Sequence, residues 1–322
     1  KLIYNNYIEL SQNYDFIIAG AGTAGISLAY ELSKHDYSIL LIESGEFIFD
    51  KFNDSLKNIE QSGLPIKENS RERVVGGNTN TWVGLIAPLD KIDLEAKDWI
   101  VDSGWPFDYK ELIQYYKKVD ESYEFPSFEF FKQSGMDELN QKTSNLVIKD
   151  FTPKLFLASK PEPNFQKIFK KLLEFKVDIL INHTLEEVIM TDDHTKVKAF
   201  KVFDKNKSSF LIGDAKEFVL ALNSIENARV LLNSNTQIRQ GVGNEEGIVG
   251  KYFMNHPKDH FGIIDVYNKS QNLSRFWGFM FKGYAGFNAF RLEEKTQKEE
   301  KILNSYIRFE PLYSWTDNEG VK

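Results

Sequence analysis

The sequence contains no cysteine. That excludes disulfides, thiolate metal ligands and a redox-active cysteine pair, so any electron transfer has to use a bound cofactor. There is no run of about 18 or more apolar residues, the minimum for a membrane-spanning helix. The stretch up to Tyr14 lacks the apolar segment of a secretory signal, and a cytoplasmic location with no membrane span is the expectation. A long basic run is missing as well. Forty Lys and Arg stand against 47 Asp and Glu, a formal net charge of −7, so the electrostatic footprint for nucleic acid is absent and nucleic acid is not an expected partner. Internal repeats and low-complexity segments are also lacking. What the sequence has in quantity is apolar and aromatic material, 42% and 14% of its 322 residues. That is enough for substantial cores, about two of them at roughly 150 residues per domain.

The apolar run Phe16-Ile17-Ile18, within Asp15 to Ala19, leads at once into Gly20-Ala21-Gly22-Thr23-Ala24-Gly25 and then a segment of helical character through His35. Strand, glycine turn and helix in that order is the context in which G-x-G-x-x-G signals dinucleotide binding. Gly20 permits the tight turn, Gly22 lets backbone approach a pyrophosphate, and Gly25 allows close packing of helix on strand. The helix N-terminus adds unpaired N–H groups that favour an anion. A second apolar run, Ser38 to Ile42, ends in Glu43-Ser44-Gly45, placing a carboxylate 18 residues after Gly25. This is near the spacing expected of a ribose-binding acid. A glutamate there accepts ribose hydroxyls and repels a phosphate, favouring an unphosphorylated ribose. The bland alternative is a glycine-rich turn with an acidic strand cap.

Beyond Gly45 the pattern from Glu46 to Ser70 is irregular and polar, which breaks the regular strand-helix alternation of a simple nicotinamide-binding domain. Leu112, Tyr115, Tyr116 and Val119 make an amphipathic helix of Asp108 to Tyr123, introduced by Trp105-Pro106, whose expected role is packing. A poorly patterned stretch with Pro153, Pro161 and Pro163 follows. Phe165 to Phe175 then reads as helix and Val177 to Ile181 as a buried strand. Lys196 to Phe203 and Ser208 to Ile212 flank the polar Asp204-Lys205-Asn206-Lys207 as a hairpin, and Glu217 to Leu222 is a further strand. Phe261 to Tyr267 is β-like and aromatic-rich, and the charge cluster Glu293 to Lys301 reads as a solvated loop or helix face.

A second glycine-rich element, Arg71-Glu72-Arg73-Val74-Val75-Gly76-Gly77-Asn78-Thr79-Asn80-Thr81-Trp82-Val83-Gly84, embeds a glycine pair among small hydroxyl and amide residues that let backbone approach a flat ring. Together with the first motif it resembles the flavin-contacting loop of the glucose-methanol-choline (GMC) oxidoreductases. Trp105-Pro106-Phe107-Asp108-Tyr109 resembles that family's WP-x-x-Y helix entry. Ala221-Leu222-Asn223-Ser224-Ile225-Glu226-Asn227-Ala228-Arg229-Val230-Leu231-Leu232 is similar to its strand-to-helix segment, with Asn223 and Ser224 where glycine or alanine is usual. Val249-Gly250-Lys251-Tyr252-Phe253-Met254-Asn255-His256-Pro257 resembles its VGRxFMEHP signature, with Lys251 for Arg and Asn255 for Glu. These matches span Asp15 to Pro257.

The resemblance implies an α/β fold: a Rossmann-like FAD-binding domain with a β-meander crossover over 14–257, discontinuous and with an irregular insertion near 100–165. The beginning of an α+β substrate-binding domain over 258–322 would follow, incomplete in this chain. It implies FAD contacts from Gly20, Gly22, Thr23, Ala24, Gly25, Glu43, Ser44, Arg73, Gly76, Gly77, Asn78, Thr81, Trp82, Val83, Gly84, Val188 and Ala221, Val188 touching adenine through its backbone. Some relatives attach the flavin covalently through a histidine one position before the Trp. Thr81 holds that position here, so non-covalent FAD is expected. No metal is expected. The implied chemistry is oxidation of an alcohol group, a sugar or polyol being favoured by analogy, with hydride moving to flavin N5 and an acceptor the sequence does not name. The family's catalytic histidine pair lies C-terminal to these motifs and is not found before Lys322, and truncation relative to the native protein is the first explanation. His256 and His260 match the internal HP signature, and surface or capping roles are expected of His35, His183 and His194. An FAD-containing lyase of the same fold and a non-catalytic flavin-binding module are the alternatives.

Overall fold

In the computed structural model, residues 3–4, 13–63, 65–144, 146–159, 165–172, 174–175, 177–206, 208–267 and 272–310 are described. The chain divides into two compact units, one of residues 1–82 with 164–260 and the other of 83–163 with 261–322.

The first unit contains strands β1 (Ile3–Tyr4), β2 (Tyr14–Ala19) and β3 (Ile39–Ile42), and the second begins with β4 (Leu85–Ile86) and β5 (Phe151–Ala158). The chain returns to the first unit for β6 (Val177–Leu180), β7 (Thr184–Met190), β8 (Val197–Phe203), β9 (Ser209–Gly213) and β10 (Ala215–Leu220). It ends in the second with β11 (Phe279–Phe281), β12 (Tyr284–Leu292) and β13 (Tyr306–Ile307).

In the first unit a parallel sheet runs in the order β1-β6-β3-β2-β10. Ile39, Leu40, Leu41 and Ile42 of β3 are all inaccessible, as are Ile17 and Ile18 of β2. A strand apolar on both faces belongs in the middle of a parallel sheet covered on both sides. Each such side chain contributes on the order of 1.5–3 kcal/mol by leaving water, an upper estimate because unfolded chains already bury some surface. Helix α1 (Thr23–Ser33) follows β2 directly and buries Gly25, Ile26 and Ala29. The expected hairpin forms as β8 and β9, but the third strand of this antiparallel meander is β7, whereas the strand read from Glu217 to Leu222 joins the parallel sheet as β10 beside β2. Val188, Phe200, Val202 and Ile212 from the meander join Ile17, Leu40 and Ile42 in one core.

The second unit is built on the antiparallel sheet β11-β12-β5-β4, with β13 paired to β12. Here the structure departs from the sequence reading in two ways. The segment read as an irregular insertion contains β5, which pairs with β12 from Leu157↔Gly286 to Phe151↔Leu292, so 83–163 and the later segment share one sheet. Pro153 hid β5, because a proline cannot donate to a ladder. It is tolerated because β4 pairs only with Leu157 and Ala158, leaving the second edge of β5 open at Pro153. The other departure is Phe261 to Tyr267, which forms no strand. Phe261 is 95% and Tyr267 92% exposed, so no sheet among the described residues uses their apolar alternation. The Glu293 to Lys301 cluster is helical from Glu294 to Glu300 and buries only Gln297. The helix predicted from Asp108 forms as Tyr109–Tyr123, its N-terminus capped by the Asp108 carboxylate accepting from the Glu111 N–H. Pro161 and Pro163 lie outside the described residues.

Candidate functional site

The C-terminal ends of β2, β3 and β10 converge on a cavity of about 270 Å³ in the first unit, the place where ligands bind open parallel sheets. Its floor is the glycine turn. Gly20 has φ +105°, and a Cβ there would stand 2.4 Å from the Ala221 carbonyl oxygen; at Gly25 it would stand 1.8 Å from the Gly20 oxygen. Neither position admits a side chain. Gly22 differs, because a Cβ built on it meets nothing within 4 Å; the glycine keeps open the space in front of α1. The helix start has no side-chain cap and no acid in its first turn, leaving orphan N–H groups and the positive end of the helix dipole for an anion.

Glu43, at the end of β3, is buried beside this turn. Its Oε2 accepts from the Ala21 N–H at 2.8 Å, and its Oε1 from the Gly45 N–H at 2.8 Å and the Ser44 hydroxyl at 3.2 Å. Burial raises its pKa; the bonds from Gly45, Ala21 and Ser44 and the nearby Arg73 charge oppose that without reversing it.

The glycine-pair loop lies directly against the first motif. The Gly76 N–H donates to the Ala21 oxygen at 2.7 Å, and a Cβ on Gly77 would be 3.1 Å from the Gly22 Cα. Both glycines have positive φ, +93° and +54°, conformations that side chains resist. The small polar residues tie the loop to itself: Thr79 Oγ1 donates to Gly76 O, Asn80 Nδ2 to Val75 O and Gly77 O, and Asn78 Nδ2 to Ser70 O.

The strand-to-helix segment supplies the opposite wall, opening α2 (Ser224–Asn233). Asn223 occupies φ +80°, ψ +169°, a region best suited to glycine, and accepts from the Ile225 and Glu226 N–H groups. Asn227 accepts from the Leu222 N–H at 3.0 Å and so pins the turn. Glu226 receives Arg71 at 3.3 Å, Arg73 at 2.8 Å and Arg229 at 2.8 Å. Burial lowers the Arg71 pKa, Glu226 opposing and Arg73 reinforcing the shift.

Of the residues predicted to bind cofactor, Gly20, Gly22, Thr23, Ala24, Glu43, Ser44, Arg73, Gly77, Asn78 and Ala221 line this cavity together. Gly25 and Gly76 support it from behind through the contacts above. Thr81, Trp82, Val83 and Gly84 do not line it, and Val83 and Gly84 fall in the second unit. Val188 is not brought there either. Its side chain is in the core and its N–H donates to the Ser234 hydroxyl at 2.8 Å; Leu185, three residues earlier, lines the cavity instead. The sequence reading missed Lys57, Glu226, Arg229 and His183. Glu226 and Arg229 carried a signal, as charged residues in a helix-start motif, whereas Lys57 lies in the irregular polar stretch before the glycine pair. His183 corrects its expected surface or capping role. It is buried, burial lowers its pKa, and its Nδ1 bonds the Ile181 carbonyl at 2.7 Å. A carbonyl can only accept, so Nδ1 carries the hydrogen of the neutral ring. His35, His194, His256 and His260 are exposed and away from the cavity.

Residues 18–49 match the family profile described as an NAD(P)-binding Rossmann-like domain. Over 298 residues the chain is 23% identical to (R)-mandelonitrile lyase 4 of Prunus serotina, covering 82% of this chain and 51% of that protein. It is 26% identical to the ecdysone oxidase of Bombyx mori over 137 residues, 36% of this chain and 20% of that one. The chain thus spans about half the length of that mandelonitrile lyase. Among solved structures, a formate oxidase of Aspergillus oryzae shares the fold at TM-score 0.50 and 13% identity, over 69% of this chain and 48% of that one. Among the described residues no helix is long and apolar enough to cross a membrane.

Proposed function

We propose that this chain, which belongs with the flavin-binding portion of the glucose-methanol-choline oxidoreductases by its motifs, sequence relatives and fold, holds FAD without a covalent bond and serves oxidation of an alcohol group. The observation that carries the reading is the open space at Gly22, bounded by the bare start of α1, the Glu43 carboxylate and the glycine-pair loop. These groups suit a dinucleotide: N–H donors for a diphosphate and a carboxylate for ribose hydroxyls. FAD, when bound, supplies the hydride acceptor. The chain's own part is to orient it, with Gly22, Thr23 and Ala24 toward the diphosphate, Glu43 toward the ribose, and the Gly77 to Asn78 backbone toward the flavin side. Thr81 offers no nucleophilic nitrogen for attachment to the ring.

A second reading, an FAD-containing lyase, is supported by the mandelonitrile lyases that match over most of the chain. The chain reconstituted with FAD separates these readings. A flavin spectrum that stays with the protein on gel filtration, and moves to the supernatant after acid precipitation, is the result expected for non-covalent FAD. Anaerobic bleaching of that spectrum by primary or secondary alcohols supports oxidation. Release of benzaldehyde and cyanide from mandelonitrile with the flavin unbleached supports the lyase. A protein that retains no FAD at tens of micromolar sinks the proposal.

A further inference from the structure

The motif Trp105-Pro106-Phe107-Asp108-Tyr109 does not line the dinucleotide cavity. In the second unit it lines, together with Lys91 and Glu95, an open notch of about 430 Å³. Small-molecule sites of that size combine apolar walls with a few polar groups. The Trp105 side chain lies in the open, 55% exposed, and its ring centroid is 5.5 Å from that of Phe107 at an interplanar angle of 52°. The two rings thus form a corner rather than a flat stack. A single exposed apolar residue needs no explanation, but here the backbone beneath the ring is fastened on both sides. The Trp105 N–H donates to the Leu94 carbonyl at 3.0 Å, and Asp108 Oδ1 accepts from the Glu111 N–H at 2.9 Å. Before them, Gly104 has φ +101°, and a Cβ there would stand 3.1 Å from Ala96. The Ser103 hydroxyl accepts from the Lys97 N–H at 2.8 Å and donates to the Lys97 carbonyl at 3.1 Å. The loop is shaped by its own bonds while its largest ring is left in water.

Charge around the notch is balanced. Lys91 pairs with Glu95 at 3.3 Å, and Glu95 also meets Lys298 at 3.6 Å; with Asp108, two cations stand against two carboxylates. No surplus charge selects an ion. The notch offers aromatic faces beside a donor, Lys91, and two acceptors, Glu95 and Asp108. A neutral ring with one apolar face and an edge of hydroxyls matches all of these. The axial C–H groups of a pyranose are slightly positive and suit the negative face of an aromatic ring. Its hydroxyls donate and accept, and bonds to charged side chains are the stronger kind. We propose that this notch is a carbohydrate-binding subsite, with Trp105 as the stacking platform and Lys91, Glu95 and Asp108 bonding the hydroxyls at the sugar's edge. All of these residues belong to the second unit, and the binding needs neither FAD nor oxidation of the sugar.

Saturation-transfer NMR of the full chain with methyl β-glucopyranoside, without and with FAD, tests this. Millimolar binding is expected in both states, with transfer strongest to the axial C–H protons of one ring face. Trp105→Ala weakens binding at least tenfold without moving the melting temperature. Trp105→Phe restores part of the binding and Trp105→Leu does not, because stacking needs a ring face rather than apolar area alone. Lys91→Met, at a side chain 69% exposed, weakens binding several-fold as an independent check. No transfer to the glucoside overturns the inference, as does binding unchanged in Trp105→Ala or restored equally by Phe and Leu. Binding seen only with FAD present assigns the sugar to the flavin and also overturns it. Tetramethylammonium or a polyproline peptide binding at Trp105 in place of the glucoside does the same. None of these outcomes bears on the FAD reading, which stands or falls on retention of the flavin.

Discussion

Adding one methyl group at Gly22 and at Gly25 has opposite consequences, although both glycines belong to the same motif. At Gly22 the backbone is extended, φ −84° and ψ −170°, an ordinary conformation for alanine, and the methyl meets no protein atom within 4 Å. Replacing glycine there gains about 0.4–1 kcal/mol by restricting the unfolded chain. It loses about the same, because alanine is a poorer helix cap than glycine. Gly22→Ala therefore leaves the melting temperature of the FAD-free protein within about 2 °C of wild type. Its methyl nevertheless enters the space in front of α1, where a diphosphate oxygen needs to approach the N–H groups. A loss of at least tenfold in FAD affinity, about 1.4 kcal/mol or more, is expected. At Gly25 the added methyl would stand 1.8 Å from the Gly20 oxygen, far inside the roughly 3.5 Å of normal packing. Gly25→Ala thus forces α1 off β2, at a cost of about 1–3 kcal/mol or more. Thermal unfolding of the FAD-free proteins and titration of FAD by quenching of its fluorescence measure the two effects separately. Wild-type FAD affinity in Gly22→Ala would refute the assignment of that space to the diphosphate, and an unchanged melting temperature in Gly25→Ala would refute the packing argument.

Asn223 is held at φ +80°, ψ +169°, a region costing about 1–3 kcal/mol for a residue other than glycine; Asn223→Gly loses a side-chain cap worth only a few tenths, and a higher melting temperature is expected by differential scanning calorimetry, an unchanged or lower one counting against strain. Glu43 has a pKa raised above its unfolded value near 4.5, so between those values the folded state binds more protons than the unfolded one. Its contribution to stability is full below pH 4.5 and declines as pH rises toward the folded pKa. Chemical denaturation of the FAD-free protein from pH 4 upward is expected to show that decline and Glu43→Gln to abolish it, and the same slope in the variant would assign it to another group.

The first βαβ unit was legible because strand, glycine turn, helix and acid are local features whose meaning depends on short spacing. The β8-β9 hairpin was legible for the same reason, the polar turn at Asp204 separating two β-rich runs, but the strand from Glu217 was read as its continuation because sequence order does not show that it pairs with β2. Leu185 was not distinguished from Val188 because both are apolar residues of one strand, and only the placement of β7 determines which reaches the cavity. Glu226 stood out as a charged residue at a helix start, but its ion pairs were not legible because Arg71 and Arg73 lie about 150 residues earlier. His183 looked like a polar strand end, and its burial depends on Phe210, whose ring centroid lies 5.3 Å away across the meander. Strand β5 was missed since a proline marks the strand as an unlikely one until the partner strand and the open edge are known.

The peptide unit on either side of Ala21 is fastened from two directions, its N–H by the Glu43 carboxylate and its carbonyl by the Gly76 N–H. One fastening comes from the neighbouring strand and the other from a loop more than 50 residues later in the chain. The turn that faces the ligand is therefore shaped by the protein's own bonds, and ligand binding need not fold it. Most of the ordering cost that a flexible glycine loop would add to association has already been met in folding. Binding that draws on a site shaped in advance tightens with each favourable group the ligand offers, since little of that gain is spent on arranging the receptor.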